Sequence, residues 1–177
     1  KRWTTVGRCW DAELKIVSDD NGREADRGQK GEIRWRGSCH MYGYLNNNQA
    51  DRDAFTVDGF FKSGDVGFID DEGYLHITGR IKELIIRGGQ NISPREIEEI
   101  LASHPHVLEV AVAAMPDTVL GERVCAFVTP VSGKSLTFDQ MILFMESKRI
   151  AKWKLPERLE IMEAIPKSAG GKNMKKK

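Results

Sequence analysis

The chain has 177 residues, of which 40% are hydrophobic and 30% charged, with a net charge of +1. That allows one mid-sized domain or two small ones, and it offers no overall positive field for nucleic acid or an anionic membrane. The longest apolar run, "VAVAAM", is about six residues, against the roughly 20 that a membrane-spanning helix needs. No signal peptide is visible. The chain starts at Lys1 without a methionine, and we expect a fragment. Cys9, Cys39 and Cys125 have no CxxC spacing. They predict neither a disulfide framework nor a zinc site, and they fit a reducing, cytoplasmic compartment.

The first region reads as strands and turns. "ELKIV" at residues 13–17 runs into the turn cluster "SDDNG". "GEIRWRG" alternates Ile33 and Trp35 with Glu32, Arg34 and Arg36, the period of a half-buried strand. "GFIDDEGYLHITGR" predicts a hairpin turning at "DDEG". With little helical pattern, residues 1–80 suit a small β-barrel or sandwich.

The pattern changes at residues 79–83. "LIIRGGQNI" reads as strand, Gly-Gly turn and strand. "SPREIEEILASH" predicts a helix with Ser93 as N-cap, Pro94 at N1 and Glu96 completing a capping box. Its buried face would be Ile97, Ile100 and Leu101. Strands at 107–114 and 123–131 follow, and then a helix opened by Thr137, whose apolar face is Met141, Ile142, Leu143, Phe144 and Met145. "RLEIMEAI" closes as a strand. The expected fold is α+β: a barrel-like β-subdomain at 1–80, a hinge at 79–83, and a mixed α/β domain at 83–177 with helices packed on a sheet.

Several stretches carry chemistry, each with a plainer alternative. "IPKSAGGKNMKKK" ends the chain. It fails as a phosphate loop, because Pro166 stands where the first glycine should be and Asn173 replaces the Ser/Thr. It reads either as a frayed basic tail or as a loop projecting Lys172 past two glycines towards a phosphate or carboxylate. In "FKSGDVG", Asp65 could accept both hydroxyls of a ribose or bond its own turn backbone. Arg80 could grip a nucleotide or pair with a neighbouring acid. Lys82 stands where the chain changes region. Gly88 and Gly89 could line a narrow tunnel or simply turn the chain. His104 and His106 in "HPH" lack a third metal ligand and read as a helix end. "AKWKLP" is a basic-aromatic patch that reads as a helix end plus turn or as a contact for a phosphate.

In order, "GEIRWRGSCHMYGYL", "DAFTVDGFFKSGDVGFIDDEGYLHITGR", "IKELIIRGGQNISPREIEEIL", "HPHVLEVAVAAMPD", "GERVCAFV" and "KLPERLEIMEAIPKSAGGK" resemble the C-terminal third of the adenylate-forming enzymes. That superfamily comprises acyl- and aryl-CoA synthetases, adenylation domains of peptide synthetases, and beetle luciferase. The likeness runs over nearly the whole chain and looks strongest to ligases of short- or medium-chain, alicyclic or aromatic acids. It implies a two-step reaction using ATP, with Mg2+ expected alongside it, and CoA. A carboxylate attacks the α-phosphate to give acyl-AMP, and the CoA thiol then displaces AMP.

The resemblance also implies roles for single residues. Asp65 of "SGD" matches the aspartate that holds the ribose hydroxyls of ATP, and Arg80 the arginine that also contacts the ribose or phosphate. Lys82 matches the hinge, and Gly88 with Gly89 the turn lining the pantetheine tunnel. Lys172 matches the lysine bridging the carboxylate and the α-phosphate. The missing N-terminal domain would carry the phosphate loop and the acyl pocket. Lys172 also looks like a site for a lysine acetyltransferase. Two alternatives are an aryl-acid ligase loading a carrier protein, and a non-catalytic interaction module. Serine replaces the usual threonine at positions 63 and 168, and the basic tail stops short of the family's final helix.

Overall fold

The computed structural model describes residues 5–18 and 22–167. The chain divides into two compact units, Lys1–Lys82 and Glu83–Lys177.

The first unit is a meander. Strands β1 (Ala12–Val17), β2 (Gly31–Gly37), β3 (Phe61–Ile69) and β4 (Leu75–Arg80) form an antiparallel sheet in the order β1-β2-β3-β4. The barrel-like sheet expected from the sequence is open, not closed. Among the described residues β1 and β4 do not pair. The nearest approach to closure is one bridge, where the chain before β1 meets β4 at Gly7 and Leu75. Four strands are too few to close a barrel around a filled interior. Ile16, Val17, Ile33 and Phe60 are buried. Two cations lie over the Phe60 ring, Lys15 Nζ at 3.7 Å and the Arg36 guanidinium at 4.6 Å from its centre. Helix α1 (Asn48–Ala54) was not foreseen. It buries no residue and starts on Asn47, whose side chain accepts the Ala50 N–H.

The second unit is a sheet with helices. Strands β5 (Ile85–Arg87), β6 (Gln90–Ile92), β7 (Val107–Asp117) and β8 (Gly121–Pro130) run antiparallel in the order β6-β5-β8-β7. Strand β9 (Arg158–Ile161) pairs parallel to β8. Helices α2 (Pro94–Ala102) and α3 (Phe138–Ser147) pack against the sheet. Ile85, Ile92, Ile97, Leu101, Val112, Val124, Ala126, Val128, Met141 and Met145 are wholly enclosed between them. Each large member contributes about 1.5–3 kcal/mol by leaving water.

Two local expectations differ from the structure. Ser93 is the N-cap of α2 and Pro94 opens it, but the Ser93 side chain makes no cap hydrogen bond. Glu96 holds Lys154, whose Nζ lies 2.7 and 2.9 Å from its two carboxylate oxygens. The full box forms on α3, between Thr137 and Gln140. On α3 the five consecutive apolar residues do not share a face. Met141 and Met145, four apart, are buried, whereas Leu143 is 67% exposed.

Candidate functional site

The sheet of the first unit presents Asp65. Glu32 pairs with Val66 and Arg34 with Lys62, so residues 63–65 of β3 stand opposite Ile33 alone. The surplus residues form a bulge, which bends the strand and re-aims a side chain. Gly64 permits it by taking φ +69°, where an L side chain is strained. The Ser63 hydroxyl staples the bulge. It donates to the Ile33 carbonyl at 2.7 Å and accepts the Asp65 N–H at 3.0 Å. Serine thus performs the fastening with its hydroxyl alone.

Asp65 and Arg80 are partners across the β3–β4 ladder. Arg80 Nε donates to Asp65 Oδ1 at 2.8 Å. Arg80 thus pairs with a neighbouring acid. The side chains are 60% and 24% exposed, so the pair contributes only about 0–1 kcal/mol to stability. Its consequence is orientation: one carboxylate oxygen is held by the guanidinium. A cavity of about 290 Å3 lies beside the carboxylate, with Leu14, Ile33, Trp35, Leu75 and Ile77 as apolar walls and Ser63 and Asp65 among its polar members. Such a lining suits a ring system carrying hydroxyl donors.

Lys82 is exposed in the 3-10 turn Ile81–Glu83 and is the last residue of the first unit. In the second unit, Gly88 and Gly89 join β5 to β6 with φ of +54° and +81°. Both central residues are in the left-handed region, as in a type I′ hairpin turn. A Cβ on Gly89 would meet nothing within 4 Å, and one on Gly88 would meet Leu120 Cδ2 at 3.4 Å. The turn alone therefore gives both glycines a reason, whatever passes beside them. Lys172 lies outside the described residues.

The remaining stretches take structural roles. His104 Nδ1 accepts the His106 N–H at 3.0 Å, and the His104 ring packs edge-on against Phe144 at 4.6 Å. Burial, and secondarily the charge of His106, lower the pKa of His104. Among the described residues no group of three or more His, Cys, Asp or Glu could hold a metal ion. "AKWKLP" contains the 3-10 turn Lys152–Lys154, with Lys154 bound to Glu96 and 5.2 Å from the Trp153 ring centre. Cys9 and Cys39 are exposed free thiols and Cys125 is a buried one. No helix among the described residues is long and apolar enough to cross a membrane.

Sequence reasoning did not find the group that fixes the Gly88–Gly89 turn. Arg87 Nε donates to Glu157 Oε1 at 2.7 Å, and the Ile86 N–H donates to Glu122 Oε2 at 2.8 Å. Opposite charges 70 positions apart give no signal before the sheet is assembled.

Residues 96–172 match the AMP-binding enzyme C-terminal domain. The medium-chain fatty-acid–CoA ligase of Escherichia coli is 40% identical over 164 residues, covering 92% of this chain and 29% of that protein. The indoleacetate–CoA ligase of Aromatoleum aromaticum is 43% identical over 159 residues, covering 90% of this chain and 31% of that protein. The crystal structure of ATP-bound MatB from Rhodopseudomonas palustris superposes with a TM-score of 0.90 at 33% identity, covering 96% of this chain and 34% of that one. The chain thus spans about a third of the length of the proteins it matches. With an α+β fold shared over nearly its whole length, it corresponds to the C-terminal portion of the adenylate-forming enzymes.

Proposed function

We propose that this chain is the C-terminal portion of an ATP-dependent, AMP-forming acyl-CoA ligase. A carboxylate oxygen attacks the α-phosphorus of ATP, forming the acyl-AMP bond and expelling pyrophosphate. The CoA sulfur then attacks the acyl carbon, giving up its proton, and AMP leaves. The observation that carries this reading is that two proteins named as CoA ligases share 40% and 43% identity with about nine-tenths of the chain.

The first unit would be the end of a large adenylating domain, the second a mobile domain, and the chain around Lys82 the hinge on which it turns. Asp65 would accept the ribose hydroxyls of ATP, its carboxylate already oriented by Arg80. Gly88 and Gly89 would border the path of the CoA thiol arm. Lys172 would lie between the carboxylate and the α-phosphate, offsetting a repulsion that grows towards the transition state. The described residues contain no metal-ligand set. Mg2+ would enter with ATP, supply charge neutralisation on the phosphates, and take its ligands from outside these residues. We place the protein in the cytoplasm, in keeping with its free thiols.

The test is a panel of carboxylic acids offered to the full-length protein, scored by pyrophosphate release with and without CoA. An acid-dependent release that turns over with CoA supports a CoA ligase. Turnover only with a phosphopantetheinyl carrier protein would replace CoA with that acceptor, and no acid-dependent release at all would refute adenylation. The reading extends to acetylation of Lys172, which would remove the bridging charge. Incubation with a lysine acetyltransferase and acetyl-CoA should add one acetyl group there by mass spectrometry, and an unmodified Lys172 would exclude it.

A further inference from the structure

The β5–β6 hairpin has three residues in each strand and meets β8 in a single ladder pair, Arg87 with Gly121. A hairpin so short depends on other contacts to stay in place. The Gly88 N–H donates to the Leu120 carbonyl at 2.8 Å. Ile85 and Ile92 sit in the core, the Ile86 N–H donates to Glu122 Oε2 at 2.8 Å, and a further fastening next to the turn runs through Glu157. Its Oε1 accepts from Arg87 Nε at 2.7 Å, and its Oε2 accepts the Val124 N–H at 3.0 Å. The Glu157 N–H donates in turn to the Val124 carbonyl at 2.9 Å. Pro156, wholly buried, fixes the backbone just before it. Glu157 is therefore tied to Val124 of β8 twice, once by its carboxylate and once by its backbone N–H, and its other carboxylate oxygen holds the residue next to the glycines by a charge-assisted bond. Arg87 and Glu157 are 27% and 21% exposed, so solvent screens this pair less than a surface pair.

We propose that Glu157 is a positioning residue for thioester formation. Through Arg87 it holds the Gly88–Gly89 turn where the thiol-bearing arm of CoA must pass. This rests on the reading of that turn given above. Neither side chain needs to touch the substrate. The arm meets a fixed backbone edge instead of a hairpin that shifts on its short stem, so its ordering cost on binding is lower.

The experiment uses the full-length protein and three variants, Glu157→Gln, Arg87→Gln and the double variant. Gln at 157 retains an amide oxygen for the Val124 N–H and loses the charged link. KM for CoA should rise about tenfold in each single variant and no further in the double, as for one shared charge-assisted bond. Acid-dependent ATP–pyrophosphate exchange should change less than about twofold, and this also reports a folded enzyme. Arg87→Lys, which restores the charge, should recover part of the loss. Equal losses in both half-reactions would show a merely structural pair and overturn the proposal. So would a lower KM in Glu157→Gln beside a higher one in Arg87→Gln, because Arg87 would then contact CoA itself. Gly89→Val separates the two layers. If it leaves thioester formation intact, the reading of the turn fails and the proposal with it. If it blocks thioester formation while the charge variants leave KM unmoved, only the proposal fails.

Discussion

Replacing Gly88 by alanine and by asparagine separates what the turn requires from what a channel would require. The backbone there has φ +54°, followed by φ +81° at Gly89. An alanine in the left-handed region costs about 1–2 kcal/mol in strain. Loss of glycine's freedom in the unfolded chain returns about 0.4–1 kcal/mol. The new Cβ would sit 3.4 Å from Leu120 Cδ2, an ordinary contact that adds no clash. Gly88→Ala should therefore destabilise the second unit by about 1 kcal/mol net. Gly88→Asn creates Asn-Gly, the sequence preferred at the centre of a type I′ turn, and should lie within about 0.5 kcal/mol of the parent. Native-state hydrogen exchange at the β8 amides measures the stability of this unit without reference to the other. In the full-length protein, Gly88→Asn should retain folding and pyrophosphate exchange yet lose thioester formation if the thiol arm passes this edge. Equal stability of the alanine and asparagine variants would refute the turn geometry. Full thioester formation by the asparagine variant would refute the channel.

The pH dependence of the second unit should carry the signature of His104. Its pKa is lowered in the folded protein, chiefly by burial. Above about pH 6.5 the ring is neutral in both states and has no effect. Below it the unfolded chain binds more protons, so stability falls with pH until the lowered folded pKa is passed. His104→Asn keeps an acceptor for the His106 N–H and should flatten a stability profile recorded by urea unfolding. An unchanged profile would contradict this. On α3, Met145→Ala should cost about 2–5 kcal/mol and Leu143→Ser less than about 0.5, since only the first is buried; similar losses would mean the helix face is misassigned. Thr137→Ala should cost about 1 kcal/mol through the capping box, read from the same unfolding curves, and a silent variant would exclude the cap.

The parts legible in the sequence were those written in local chemistry. Alternation in "GEIRWRG", the "DDEG" turn and the Gly-Gly turn each became the expected element. Helix α1 was hidden because "NQADRDA" has no apolar stripe and buries nothing. The capping pattern Ser93–Glu96 was present, but the Ser93 side chain makes no cap bond, and the ion pair of Glu96 with Lys154, 58 positions away, had no local signal. Periodicity could not choose among five consecutive apolar residues on α3, and the packing did. At the site, Asp65 and Arg80 were visible as residues, whereas their pairing needed the β3–β4 register. The bulge that aims Asp65 depends on how β3 counts against β2, which no local pattern records. Arg87 and Glu157 illustrate the same limit over a longer span, since only the completed sheet brings them together.

The division of the chemistry within the chain is tested most directly by Lys172→Ala in the full-length protein, measured in both half-reactions. Acid-dependent ATP–pyrophosphate exchange should fall by at least about a hundredfold, as for loss of a charge that stabilises a transition state. Thioester formation from pre-made acyl-AMP and CoA should stay within a few-fold of the parent, because no α-phosphate charge then develops against a carboxylate. An equal loss in both half-reactions, or undiminished exchange, would contradict the account.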